Sequence, residues 1–187
     1  MVRAGLSAER LTEAAAELAD ELGFENVTVS ALARRFGVKD ASLYSHLRNA
    51  RDLRERVALL ALAELADRAA EALAGRAGTQ ALVAFATAYR DYAKRHPGRY
   101  AAAQLHLDPA TAATSAAGRH SAMTRAILRG YALPEAEHDH AVRLLHSTFH
   151  GFVTLERTGG FAYSGDIEAS WTRVLEVLDA TLRNWPV

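Results

Sequence analysis

The sequence predicts an all-α protein of about nine helices, three in a compact N-terminal head and six in a larger C-terminal bundle. Three observations carry this. Apolar residues recur at helical spacing in almost every segment. No run of β-branched residues alternates as a strand does, and no hairpin signal occurs. Glycine and proline punctuate the periodic stretches, as at Gly23, Gly37, Gly75, Gly78, Pro97, Gly98 and Gly159. Half of the 187 residues are apolar, enough for a folded chain with a proper core.

Leu11, Ala15, Leu18 and Leu22 share one face of a first helix from about Ser7 to Glu21. Ser7 is its N-cap and Gly23 its stop. Thr28 caps a second helix, on which Val29, Leu32, Ala33 and Phe36 form an apolar stripe. Gly37 breaks that pattern, Val38 plugs the turn, and a short third helix follows from Lys39 to His46. A short helix, a glycine turn and a polar-faced second helix make a helix-turn-helix, whose second helix enters the DNA major groove.

From Ala50 the apolar pattern runs unbroken to about Leu73 through Leu53, Val57, Leu60, Leu65 and Ala69. Gly75 and Gly78 stop it. Thr79 is read as the cap of the next helix, which runs to His96 before Pro97 and Gly98. A short apolar segment, Tyr100 to Leu107, precedes an Ala/Thr/Ser-rich stretch from Asp108 to Gly118, read as a loop with a frayed helix start. Further helices are expected over His120–Gly130, from Pro134 to about Arg157, and after Asp166, where Trp171, Val174, Leu175, Leu178 and Leu182 line one stripe. Residues 1–56 are thus expected to form a DNA-binding domain and residues 57–187 an effector-binding and dimerisation domain. The boundary falls inside a helix, near Val57, and a continuous helix transmits a tilt where a flexible linker does not.

Composition narrows the function. The 22 basic and 22 acidic residues cancel, which argues against nonspecific coating of nucleic acid. Between Asn26 and Arg56, however, seven basic residues face three acids, a local excess of +4. There is no cysteine, so disulfides and thiolate metal sites are excluded, which suits a cytoplasmic protein. No apolar run suggests a signal peptide or membrane span, and no membrane partner is expected.

In the head, the spacing sends Leu43 and Leu47 inward and leaves the neighbouring polar groups outward. Lys39 can reach guanine acceptors and Ala41 a thymine methyl; Ser42 is small enough for close groove approach. Tyr44 and His46 suit phosphate, although Tyr44 can instead complete the three-helix core. Thr28, at a helix N-terminus, and Arg51, near the start of the fourth helix, suit phosphate as well. Arg3 can reach the minor groove from an N-terminal arm. Such a head specifies a site only as a dimer on two half-sites about one helical turn apart.

In the bundle, Tyr89, Tyr92, His96, Tyr100, His106, Met123, Ile127, His146, Phe149 and His150 are expected to line a cavity for an apolar or aromatic small molecule. The alternative is that these side chains fill a closed core. His146 and His150 stand four apart, but no carboxylate or cysteine accompanies them at a ligand's spacing, so neither a metal nor a cofactor is expected. An enzyme using the histidines is disfavoured, since there is no nucleophile elbow, phosphate loop or H-E-x-x-H motif. Val142, Leu145, Phe149 and Val153 make one stripe; Leu144, Thr148, Phe152 and Leu155 make a second, with small Ser147 and Gly151 four apart. Two stripes on one helix point to a homodimer through the last two helices.

The head resembles the TetR family of bacterial transcription regulators. The resemblance rests on Gly23-Phe24, Thr28-Val29, Leu32-Ala33, Gly37-Val38, Leu43-Tyr44-Ser45-His46-Leu47 and Asp52-Leu53. Two positions depart from the family pattern: Leu47 stands for a usual Phe, and Ala50 for a usual Lys, leaving Arg48 or Arg51 to supply the phosphate anchor. Farther on, Tyr89 to Tyr100 and His150-Gly151-Phe152-Val153-Thr154-Leu155-Glu156 resemble the WHG-type effector domain, with His146 where that type carries Trp. The resemblance implies a DNA-binding repressor released from a palindromic operator by a small molecule. A regulator with no small-molecule ligand is the alternative.

Overall fold

The computed structural model describes residues 6–163 and 165–186; Arg3 lies outside them. Among these residues there are nine α-helices and no strand: α1 (Ala8–Leu22), α2 (Val29–Phe36), α3 (Ala50–Leu73), α4 (Gly78–Arg95), α5 (Pro97–Ala102), α6 (Pro109–Thr114), α7 (Ala117–Leu128), α8 (His138–Arg157) and α9 (Ile167–Arg183). Packing divides the chain into two compact units. One holds the chain up to Glu64 with Arg95–Ala116, and the other holds Leu65–Lys94 with the chain from Ala117.

In the first unit, Ser7 caps α1 by accepting from the Arg10 amide, and Gly23, at φ 90°, ends it. Thr28 accepts from the Ala31 amide to cap α2, and Gly37 ends α2 in the left-handed conformation at φ 66°. Asn49 caps α3 through the Asp52 amide, while the Asp52 carboxylate accepts from the Arg48 amide one residue before the cap, a variant of the capping box. Leu11, Leu32, Leu43, Leu47, Leu53 and Val57 close one apolar core. The α5 helix joins this unit: Asp20 accepts from the amides of Gly98 and Arg99, both at 2.9 Å. A side chain at Gly98 would lie 1.8 Å from the Ala19 carbonyl oxygen, so only glycine permits this approach.

In the second unit, Leu82, Phe85, Leu128, Leu145, Phe149, Trp171, Leu175 and Leu178 form the core. Buried Arg90 on α4 ties it to α8 and α9, donating to Glu156 at 2.6 Å and Glu168 at 2.7 Å while lying over the rings of Phe152 and Trp171. Tyr131 and Thr79 both donate to Asp179 at 2.6 Å. Burial, followed by the bond to Asp179, raises the Tyr131 pKa.

Four expectations are corrected. The Thr79 hydroxyl serves Asp179 on α9 instead of capping its own helix, which begins at Gly78. Asp108 caps an ordered helix, α6, where a loop with only a frayed helix start was expected. Pro134 precedes a single 3-10 turn, Glu135–Glu137, and the long helix starts only at His138. The third helix of the head is a 3-10 turn, Asp40–Ser42, continued by turns to His46.

Candidate nucleic-acid interface and effector site

The helix-turn-helix presents its predicted face. Leu43 and Leu47 are fully buried, so Leu47 fills the core position as the usual Phe would. Thr28, Lys39, Ala41, Ser42 and Ser45 are exposed, and His46 is half-buried. Tyr44 is 54% exposed, which removes the alternative that it completes the core. The face is held in register from behind: the Ser30 hydroxyl donates to the Asp40 carboxylate, joining α2 to the turn. Nothing local to either residue announces this link.

The local basic excess is smaller in space than in sequence. Arg35 is committed to Glu17 and Glu21 on α1, at 2.6 and 2.8 Å. Arg54 lies over the Phe24 ring at 4.4 Å. Arg48 and Arg56 both pair with buried Asp52. Burial pushes the Asp52 carboxyl up, but the Arg48 amide and the two guanidinium groups more than offset that and hold its pKa low. Arg51 pairs with Glu55 yet keeps a side chain 77% exposed, which leaves it able to swing to phosphate. Arg34 and Lys39 are exposed and make no ion pair among the described residues.

The ten residues expected around one cavity are divided between the two units. His96, Tyr100 and His106 belong to the first unit. There His96 lies 3.2 Å from Asp20, Tyr100 is buried, and His106 is exposed. In the second unit His150 is exposed on α8, because a helix face is buried only where a neighbour covers it. One turn earlier, His146 is covered: its Nε2 lies 3.3 Å from the hydroxyl of buried Thr124, and its ring 6.4 Å from that of Tyr89. Burial lowers its pKa below 6.5. Tyr89 in turn meets buried His120, at 3.3 Å, with Phe85 beside it. Tyr92 and Phe149 are fully buried. His120 and Thr124 were missed; they lie on α7, whose polar residues carry no period that marks burial. Met123 and Ile127 border a separate recess of about 390 Å³ with Leu73, Ala81 and Ala126.

Residues 11–57 match the family described as bacterial regulatory proteins, tetR family, and residues 82–178 match the tetracyclin repressor-like C-terminal domain. The HTH-type transcriptional regulator Rv0681 of Mycobacterium tuberculosis is 38% identical over 161 residues, covering 83% of this chain and 72% of that protein. The HTH-type transcriptional regulator YobS of Bacillus subtilis is 32% identical over 165 residues, covering 88% and 86%. Among solved structures, a protein of unknown function from Rhodococcus sp. RHA1 is similar with a TM-score of 0.76 at 20% identity, over 98% of this chain and 99% of that one. ActR of Streptomyces coelicolor, in complex with (S)-DNPA, is similar with a TM-score of 0.69 at 18% identity, over 96% and 98%.

The helix-turn-helix and the two matched domains define a DNA-binding transcriptional regulator, not an enzyme. The chain belongs to the tetR family of bacterial regulatory proteins. No helix among the described residues is long and apolar enough to cross a membrane.

Proposed function

We propose that this regulator is a repressor that binds a palindromic operator as a homodimer and leaves it when a small molecule occupies the bundle. The observation that carries the operator reading is the exposed set Thr28, Lys39, Ala41, Ser42 and Tyr44 around buried Leu43. Residues 1–56 act as the reader and residues 57–187 as the effector-binding and dimerisation part. Small residues at Ala41 and Ser42 admit the groove edge, Lys39 and Ser42 read bases, and Thr28, Tyr44, His46 and Arg51 hold phosphates. Leu155 and Val177, 47% and 56% exposed on α8 and α9, together with the open space beside Gly151, support a dimer through the last two helices.

Tyr89, Tyr92, Met123, Ile127, His146 and Phe149 are the members of the predicted effector set on or beside the interior of the second unit. The complex of ActR with (S)-DNPA supports a small-molecule effector by analogy. An effector acts only through a difference in affinity between DNA-competent and DNA-incompetent states; a hundredfold preference amounts to about 2.7 kcal/mol. Two features of the chain suit such coupling. The α3 helix is uninterrupted from the first unit into the second, and only His96 separates α4 from α5.

A second reading, regulation without a ligand, draws on one observation: the Tyr89–His120 and Thr124–His146 contacts already satisfy each other. Mass spectrometry of protein purified under native conditions separates the two, since a retained small molecule supports the first. For the operator reading, Arg51→Ala weakens binding on every sequence and lowers the salt slope by about one unit. Unchanged affinity and slope in a fluorescence anisotropy salt series reject Arg51 as the anchor.

A further inference from the structure

The second unit carries a recess that the predicted effector set only touches. Leu73 at the end of α3, Ala77 just before α4, Ala81 in its first turn, and Met123, Ala126 and Ile127 on α7 line about 390 Å³ of mainly apolar space. That volume falls at the small end of ligand sites, about 300–1,000 Å³, and suits one small molecule. The close approach of two backbones forms one wall. A side chain at Gly130 would come within 3.1 Å of the Gly78 nitrogen.

Two arginines border the same recess, Arg76 and Arg129. Some arginines of this unit find carboxylates, as Arg125 with Asp139, Arg183 with Asp179 and Arg119 with Asp67, and others, such as Arg143 and Arg157, do not. Arg76 and Arg129 make no ion pair among the described residues, and the Arg76 guanidinium donates only to the Ala72 carbonyl. No acid lines the recess. Glu135 shares a neighbouring hollow with Arg129 but is not paired with it. An apolar interior with two unneutralised guanidinium groups at its border excludes a cation and gives a neutral molecule no advantage. It matches a molecule with an apolar body and a carboxylate, which an arginine fork holds by two parallel hydrogen bonds.

We propose that this recess binds a small amphipathic carboxylate, its apolar body against Leu73, Met123 and Ile127 and its carboxylate between Arg76 and Arg129. The inference rests on the effector reading above and names the chemical class of the effector. Its occupancy bridges the segment just beyond α3 to the end of α7.

The test uses full-length protein labelled with ¹³C at the methionine methyl groups, the Met123 signal being assigned with Met123→Leu. Octanoate, decanoate and 4-phenylbutyrate are titrated, each beside its neutral amide. The proposal expects at least one carboxylate to shift the Met123 signal saturably, and its amide to bind about tenfold more weakly or less. Arg76→Ala and Arg129→Ala each weaken the carboxylate about tenfold and leave the amide unchanged. Ala126→Leu, which fills the recess from an exposed helix position and whose fold is checked by circular dichroism, abolishes the shift. No shift with any carboxylate, or equal binding by acid and amide, overturns the site. A gel shift with the same compounds separates this from the effector reading. A carboxylate that shifts Met123 but leaves operator binding unchanged keeps the site and ends its role as an effector site.

Discussion

The two units solve burial differently. The first encloses an apolar core that includes Leu11, Leu32, Leu43 and Val57, and its one buried charged group, Asp52, sits among its own partners, the Arg48 amide and the Arg48 and Arg56 guanidinium groups. The second buries Arg90, His120, Thr124 and His138 among its aromatic residues. An apolar core is rigid and tolerant of solution conditions, which suits a part that must present Lys39, Ala41 and Ser42 in fixed register. Buried polar groups are costly unless every partner is in place, so the second unit is sensitive to anything that changes those partners.

Four substitutions or conditions break or sharpen that contrast. The largest effect is expected at Arg90→Ala, which leaves Glu156 half-buried without its guanidinium. The cost is about 3–5 kcal/mol in urea denaturation, whereas Arg90→Met with Glu156→Leu recovers much of it. The Glu156 carboxyl, held low first by its hydrogen bonds from Arg90 against burial, returns toward its ordinary range in Arg90→Ala. Next comes Leu43→Ala, a deletion in the apolar core that costs about 2–5 kcal/mol and abolishes operator binding while α8 and α9 keep their helical signal. Gly98→Ala follows. Its Cβ collides with the Ala19 carbonyl, so α5 must move off α1, at about 1–3 kcal/mol by thermal denaturation.

The smallest effect is a pH dependence confined to the second unit. His146 in the folded chain titrates below 6.5, depressed by burial, while the unfolded chain titrates near 6.5. The unfolded state therefore binds the proton first, and stability falls as pH drops below about 6.5 until the folded value is passed. Denaturation midpoints across that window show this slope in the natural chain and a reduced slope in His146→Gln.

Local chemistry made much of this legible in advance. Ser7, Gly23, Thr28, Gly37 and Asp166 cap or stop helices as their side chains or backbones dictate, and the Leu43/Leu47 spacing placed the turn's inward face. What stayed hidden depends on residues far apart in sequence. Asp20 meets α5 across 78 positions, and nothing near either end announces it. Thr79, a good cap by its type, is diverted by Asp179 from 100 positions away. His146 and His150 share a helix face in sequence, yet only the former has neighbours that bury it. The basic excess between Asn26 and Arg56 shrank for the same reason, since Glu17 and Glu21 on α1 claim Arg35.

The central claim, that the turn around buried Leu43 reads DNA as one half of a dimer, is tested most directly by selecting bound duplexes from a random pool. The natural chain is expected to enrich a palindrome with half-sites about one helical turn apart. Ser42→Leu, a bulky change at an exposed position, is expected to lose that enrichment while keeping its fold. Enrichment of the same palindrome by Ser42→Leu and by Lys39→Ala, with undiminished affinity, would contradict the account.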